Sequence, residues 1–237
     1  MDLKIIYEDN ALLVVDKPAG IIVFSERKND DGEPRRTIAD FLIEKYPQLK
    51  NVGEAPRYGI VHRLDKDTSG ILLVAKTNET LIFLQKQFKN REAEKKYIAL
   101  VVGNIKEEQS EIKTLMGRAP GDKRKQKVYL AGDPTSAGKR EAFTKYKVLK
   151  RYEKYTLLEV KIKTGRRHQI RCHFSYLRHP IAGDKMYSFK DSFAPEGLNG
   201  QFLHAAYLKI KIPNGETKEF RSELPEELKI VLDNFKI

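Results

Sequence analysis

Three stretches hold side chains able to do chemistry. The first is the run His62-Arg63-Leu64-Asp65-Lys66-Asp67-Thr68-Ser69-Gly70, which sets an imidazole, a guanidinium and a carboxylate within four positions. Such a set suits carboxylate-based catalysis on an anionic substrate held by charge-assisted hydrogen bonds. The second is Thr164-Gly165-Arg166-Arg167-His168-Gln169-Ile170-Arg171-Cys172-His173-Phe174. Read as a helix, it places Arg167 and Arg171 four apart on one face. His168, Cys172 and His173 invite a test for metal. Adjacent Cys172 and His173 diverge by about 100° around a helix; only His168 and Cys172 share a face, and no second ligand pair completes a zinc set. No metal is therefore expected. The clustered carboxylates of a metal nuclease are missing as well. The third stretch, residues 117–140, alternates glycine and proline with Arg118, Lys123, Arg124, Lys125, Lys127, Lys139 and Arg140. It reads as a mobile hairpin or pair of loops with a basic face.

These groups need elements to hold them. Ile60-Val61 and residues 71–75 are short apolar runs on either side of the first stretch and predict buried strands, with Asp67 to Gly70 as turn chemistry between them. Upstream, residues 5–7 and 12–15 predict two strands around Glu8-Asp9-Asn10. Residues 16–20, Asp-Lys-Pro-Ala-Gly, break the pattern, and residues 25–36 read as a polar surface loop. Thr37 with Asp40 predicts a helix start, although Asp stands where a capping box has Glu or Gln. Ile38, Phe41, Leu42 and Tyr46 recur at helical spacing as far as Pro47. A helix opens at Thr77-Asn78-Glu79, and residues 97–103 read as a buried strand. Strands are expected over 143–149 and 155–162, the latter from period-two alternation. Ile170, Phe174 and Leu177 share a helix face that Pro180 stops. Residues 207–212 and 217–220 flank Pro213-Asn214-Gly215-Glu216, a hairpin signal, and residues 225–237 read as a closing helix.

Composition sets bounds. The chain has 237 residues, 40% hydrophobic and 33% charged, as expected of a soluble globular protein. No run approaches the roughly 20 apolar residues of a membrane span, and no signal peptide is visible at the N-terminus. One cysteine, Cys172, excludes an internal disulfide and suits a reducing cytoplasm. Lys and Arg number 45 against 33 acidic residues, a net charge of +12 that favours a polyanionic partner.

The nine residues from His62 to Gly70 resemble the signature loop of the RluA-type family of pseudouridine synthases. The His-Arg-Asp order of kinases is a superficial rival, because Leu64 interrupts it and no Gly-rich phosphate loop precedes it. The resemblance extends over nearly the whole chain. Lys17-Pro18-Ala19-Gly20 is similar to the family's Lys-Pro-x-Gly segment. Lys95 to Leu100 resembles its motif of a basic residue and then Tyr entering a strand. Residues 164–171, with His179-Pro180-Ile181-Ala182-Gly183-Asp184, resemble its third motif, with Arg167 where Thr is usual, and Leu203-His204-Ala205 resembles its Leu-His-Ala motif.

The resemblance implies an α+β pseudouridine synthase fold: a bent, mainly antiparallel mixed sheet with flanking helices and a central RNA-binding cleft. One catalytic domain over residues 1–237 is expected, without a separate N-terminal RNA-binding domain. The implied reaction isomerises uridine in structured RNA, ribosomal or transfer, to pseudouridine with no cofactor and no metal. Asp65 would be the essential carboxylate, the other reading being a turn aspartate, and Asp67 is the better turn former. Arg171 would pair with Asp65, and Tyr97 would pack on the uracil where a strand tyrosine is ordinarily core. Ile71 and Leu203 either line the uracil pocket or are core. Arg63 would fill the space left by an extruded base, and His62 either orients the loop, contacts a phosphate or is structural. Arg167 and the basic run Arg118, Lys123, Arg124 and Lys125 would meet RNA phosphates. A cytoplasmic monomer is expected. A rival of another class, a non-catalytic RNA-binding or ribosome-assembly protein on the same fold, predicts lesions at Asp65, Tyr97 or Arg171, and none is present.

Overall fold

Thr37 and Asp40 satisfy one another's backbone donors, and this starts the first helix. Asp40 Oδ2 accepts from Thr37 N at 2.8 Å and Thr37 Oγ1 from Asp40 N at 3.3 Å. Asp thus serves where Glu or Gln usually closes the capping box. The computed structural model describes residues 3–25, 36–190, 192 and 194–235. The polar loop expected over 25–36 lies outside the described residues apart from its two ends.

The strands are β1 (Lys4–Glu8), β2 (Leu12–Lys17), β3 (Ser69–Ala75), β4 (Glu94–Val102), β5 (Gln109–Arg118), β6 (Gln126–Tyr129), β7 (Arg140–Arg151), β8 (Tyr155–Ile162), β9 (Leu203–Lys211) and β10 (Thr217–Arg221). The helices among the described residues are α1 (Ile38–Lys45), α2 (Asn78–Asn90), α3 (Gln169–Tyr176) and α4 (Glu226–Asp233), with two short 3₁₀ turns. The class is α+β with mostly antiparallel strands, as expected. The chain divides into two compact units, residues 1–94 with 205–223 and residues 95–204 with 224–237.

In the first unit the strands run β1-β2-β3-β9, with β10 on β9. Asp9 closes the first turn, its Oδ1 accepting from Ala11 N at 2.8 Å and Leu12 N at 2.7 Å. Every residue of β3 is buried, which is why it reads as an unbroken apolar run rather than an alternation. Gly70 is a strand residue and not the turn residue expected. It has φ 112°, and a Cβ there would come within 2.3 Å of the Ala205 carbonyl on β9, so the close passage of another backbone demands glycine. The expected strand at Ile60-Val61 is reduced to one bridge, Ile60 to Val74, and a bond from Val61 N to Leu73 O at 3.1 Å. Thr77 caps α2 by accepting from Thr80 N at 3.2 Å. Gln87 ties α2 to β9, donating to Lys211 O at 2.7 Å and accepting from Lys211 N at 3.0 Å.

In the second unit the order is β4-β8-β7-β5-β6. Ala99, Val101, Tyr146, Leu158, Val160, Ile170 and Phe174 form one buried cluster between sheet and α3. Leu100, Phe202, Leu228 and Val231 form another with α4. β4 begins at Glu94, three residues before its apolar run. β5 has no counterpart among the expected strands, because only Ile112 and Met116 of its ten residues are buried and no alternation shows. It pairs with β6 from Leu115–Tyr129 to Arg118–Gln126, so the basic stretch is a hairpin.

Candidate active site

The His62–Gly70 loop is built from the backbone outward. Thr68 N donates to Asp65 O at 3.2 Å, which places Lys66 and Asp67 at the centre of a turn that Asp65 opens. Asp65 heads that turn with its side chain half-buried, and Arg63 is exposed. His62 Nε2 accepts from Leu73 N at 3.1 Å, and the ring stacks on Phe88 with centroids 4.8 Å apart. An acceptor Nε2 leaves the ring proton on Nδ1. The imidazole therefore orients the loop against β3 and α2. Ile71 is buried in β3 as core residues are.

Lys17 is absent from the expected site residues, yet it sits beneath this loop. Its side chain is 0% exposed. Nζ donates to the carbonyls of Pro18 at 2.7 Å, Ile21 at 2.9 Å and Lys66 at 2.9 Å, so all three ammonium donors are used. Burial pulls its pKa down to about 8, against the opposing pull of the Asp67 and Asp65 carboxylates. The Lys-Pro-x-Gly segment is the signal that could have found it.

In the second unit, Arg171 leaves α3 in its first turn and is itself buried. Its Nε donates to Asp184 Oδ2 at 2.6 Å and its Nη2 to Asp184 Oδ1 at 2.9 Å. The Asp184 side chain is 0% exposed, and its Oδ1 also accepts from Met186 N at 2.9 Å and Tyr187 N at 3.1 Å. The guanidinium carbon lies 5.1 Å from the centre of the Tyr187 ring. The Tyr187 hydroxyl accepts from Gln126 N at 2.7 Å and meets His168 Nδ1 at 3.0 Å; burial raises its pKa. In the sequence Asp184 is only the last residue of a motif, and its role as the carboxylate gripping Arg171 comes from a contact thirteen residues away.

The shared helix face expected for Arg167 and Arg171 is corrected. α3 begins at Gln169, and His168 before it has φ 54° in the left-handed region, so Arg167 lies outside the helix. The cause is a polar network. Gln169 Oε1 accepts from Thr164 Oγ1 at 2.7 Å and Arg166 N at 3.1 Å, while Gln169 Nε2 donates to Phe143 O at 3.0 Å and Thr144 Oγ1 at 2.9 Å. This draws the preceding loop across the helix start. Arg167 is exposed, with Nε 3.3 Å from His168 Nε2.

His173 lies between two hydroxyls, Thr144 Oγ1 at 2.9 Å and Thr114 Oγ1 at 3.0 Å, and burial lowers its pKa to about 4. Burial pushes the Cys172 thiol up to about 12, which leaves it unreactive. Among the described residues no group of three His, Cys, Asp or Glu could hold a metal.

Tyr97 is half-buried on β4 and packs on the cluster containing Ile170 and the buried Leu203. At the hairpin tip Arg118 and Lys123 are exposed and Lys125 is half-buried. Arg124 is claimed by Asp122, with Nε–Oδ1 and Nη2–Oδ2 both at 3.0 Å; that arginine holds Asp122 at a pKa of about 2. Lys127 and Lys139 lie 5.3 and 4.9 Å from the Tyr129 ring centre.

The chain is similar to known proteins. Residues 11–176 match the family model for RNA pseudouridylate synthase. A protein of Aquifex aeolicus named as an uncharacterized RNA pseudouridine synthase is 41% identical over 97% of this chain and 72% of its own length. The ribosomal large subunit pseudouridine synthase D of Borreliella burgdorferi is 39% identical over 98% of this chain and 68% of its own. The solved structure of human RNA pseudouridylate synthase domain containing 1 has a TM-score of 0.76 at 27% identity, covering 94% of this chain and 84% of that one. With the His62–Gly70 loop and the Arg171 motif in place, the chain belongs to the RluA-type family of RNA pseudouridine synthases, isomerases that convert uridine to pseudouridine.

Proposed function

We propose that this enzyme isomerises uridine in large-subunit ribosomal RNA, with Asp65 as the essential carboxylate. The observation that carries the reading is the complete nine-residue loop, with Asp65 half-buried at the head of a turn that Lys17 secures from below. The choice of RNA is supported by relatives whose names specify the ribosomal large subunit. The ribose–nitrogen bond breaks, the uracil rotates and the same ribose carbon bonds to carbon 5; carbon 5 gives up its hydrogen as a proton and the released nitrogen takes one up. Nothing is oxidised, so a positioned carboxylate and walls that retain the base suffice.

In this reading the target base is swung out of the RNA before it enters the site. Arg63 takes its place in the stack, as a planar guanidinium can. Tyr97 packs on the uracil. Arg171, held rigid by Asp184, is the second charged group we assign to the reaction. Exposed Arg118, Lys123 and Arg167 meet phosphates. We place the enzyme in the cytoplasm as a monomer.

The test is tritium release from carbon 5 of labelled uridine in ribosomal RNA. Asp65→Asn should lower the rate at least about 10³-fold, the scale of losing a group that acts in the transition state. Equal rates in variant and parent would remove Asp65 from its role. Mapping pseudouridines in a strain lacking the protein decides the RNA: a missing modification in transfer RNA alone would refute the ribosomal assignment.

A further inference from the structure

One ring in the first unit carries two guanidinium groups. The Cζ of Arg57 lies 4.9 Å, and that of Arg63 5.2 Å, from the centre of Phe24. The ring is buried and both arginines are exposed. Each of the three is presented by anchored backbone. Before Phe24, the carbonyls of Ile22 and Val23 accept the N–H groups of Ile38 at 3.0 Å and Ala39 at 2.9 Å, at the start of α1. At Arg57, its own N–H and that of Tyr58 both donate to Glu54 O, at 2.9 and 3.0 Å. Gly59 then presses against β3, where a Cβ would come within 2.2 Å of Ala75 O. Arg63 comes two residues after the bond from Val61 to Leu73. Arg57 and Glu54 stand at an open groove of about 480 Å³ whose lining also includes Tyr58, Ile60, Leu81 and Gln85.

The ring distances bound the separation of the two charges at about 10 Å, about one Debye length at 0.1 M salt. A phosphate that reaches these forks can accept bidentate bonds from either. We propose that Arg57, held beside Arg63 by the Phe24 ring, binds the phosphodiester next to the extruded uridine, with the adjoining groove receiving the neighbouring nucleotide. Phe24 is a positioning residue in this arrangement. The inference rests on the reading that the Arg63–Asp65 loop acts on RNA.

The probe is a large-subunit ribosomal RNA transcript carrying tritium at carbon 5 of its uridines, used with the full chain. Arg57→Ala should reduce the slope of log K against log salt by about 0.7 to 0.9, the share of one phosphate. It should raise KM at least about 10-fold, the loss falling on KM rather than on kcat. Arg57→Lys should restore the slope but only part of the KM, because a point charge lacks the fork. Phe24→Leu keeps the site apolar and should raise KM with the slope unchanged, and in that background Arg57→Ala should cost less than it does in the parent. Parental slope and KM in Arg57→Ala would overturn the proposal, as would an undiminished Arg57→Ala effect in the Phe24→Leu background. Should Phe24→Leu fail to fold, the exposed Arg57 decides alone. The slope is read on binding, so a parent without tritium release would refute the catalytic reading while the Arg57 result still stands or falls by itself.

Discussion

Replacing Asp184 by Asn removes one charge and almost no volume, and its effect can be worked out bond by bond. Oδ1 of the new amide can still accept from Met186 N and Tyr187 N, now at 2.9 and 3.1 Å. The amide nitrogen must then stand where Oδ2 accepts from Arg171 Nε at 2.6 Å, so two donors face each other. Flipping the amide mends that contact and sets the nitrogen against the two backbone donors instead. Either way the buried Arg171 loses its Asp184 counter-charge. Removing one partner of a buried ion pair costs about 3–5 kcal/mol, a large part of the roughly 5–15 kcal/mol that holds a domain folded. Urea unfolding should show a loss of that size with little change in m. The guanidinium, no longer gripped from two sides, should wander by about an ångström, which costs about 10²-fold in rate. Tritium release under saturating RNA measures this. The double variant Arg171→Met, Asp184→Asn should be more stable than Asp184→Asn alone, because it removes the cation that the single variant leaves buried. A single variant with parental stability and turnover, or a double variant less stable than the single, would show that Asp184 does not hold Arg171 in this way.

Three further outcomes are expected. His173 is held neutral, its pKa lowered to about 4 by burial, while the unfolded chain protonates near 6.5. Between those values the unfolded state binds more protons, so stability should fall by up to about 3 kcal/mol as pH drops from about 6.5 to about 4; the slope of unfolding free energy against pH should flatten in a folded His173→Gln protein, and an unchanged slope would count against the assignment. Gly70→Ala meets the Ala205 carbonyl at 2.3 Å with φ 112°, so the β3–β9 contact must open; a loss above about 3 kcal/mol in urea unfolding is expected, and parental stability would contradict the close approach. Lys17→Met keeps the length of the side chain and deprives three carbonyls of their donor; a loss of about 1–3 kcal/mol is expected, with slower tritium release because the turn at Lys66 loosens, and full turnover would show that the loop holds itself.

How much is legible depends on the range of the interaction. Elements whose signals are local can be read directly from the chain. Thr37 and Asp40 lie three residues apart and cap one another. Asp9 sits two and three residues before the donors it accepts, and Pro213 to Glu216 makes its own turn. An unbroken apolar run such as β3 shows its burial directly, and the motif order carries the family. β5 escaped because a strand with two buried residues has no period to detect. The other features emerge on folding, since they depend on what lies far along the chain. Gly70 is required by β9, 135 residues later in the sequence. α3 starts at Gln169 and not before because Phe143 and Thr144 on β7 claim that glutamine's side chain. Arg171 is gripped by an aspartate from a loop, and Arg57 meets Arg63 on a phenylalanine more than thirty residues upstream. Side-chain charge and local hydrogen bonding can be read in one dimension. Desolvation, close backbone approach and the sharing of one ring by two cations arise only when distant segments occupy the same few ångströms.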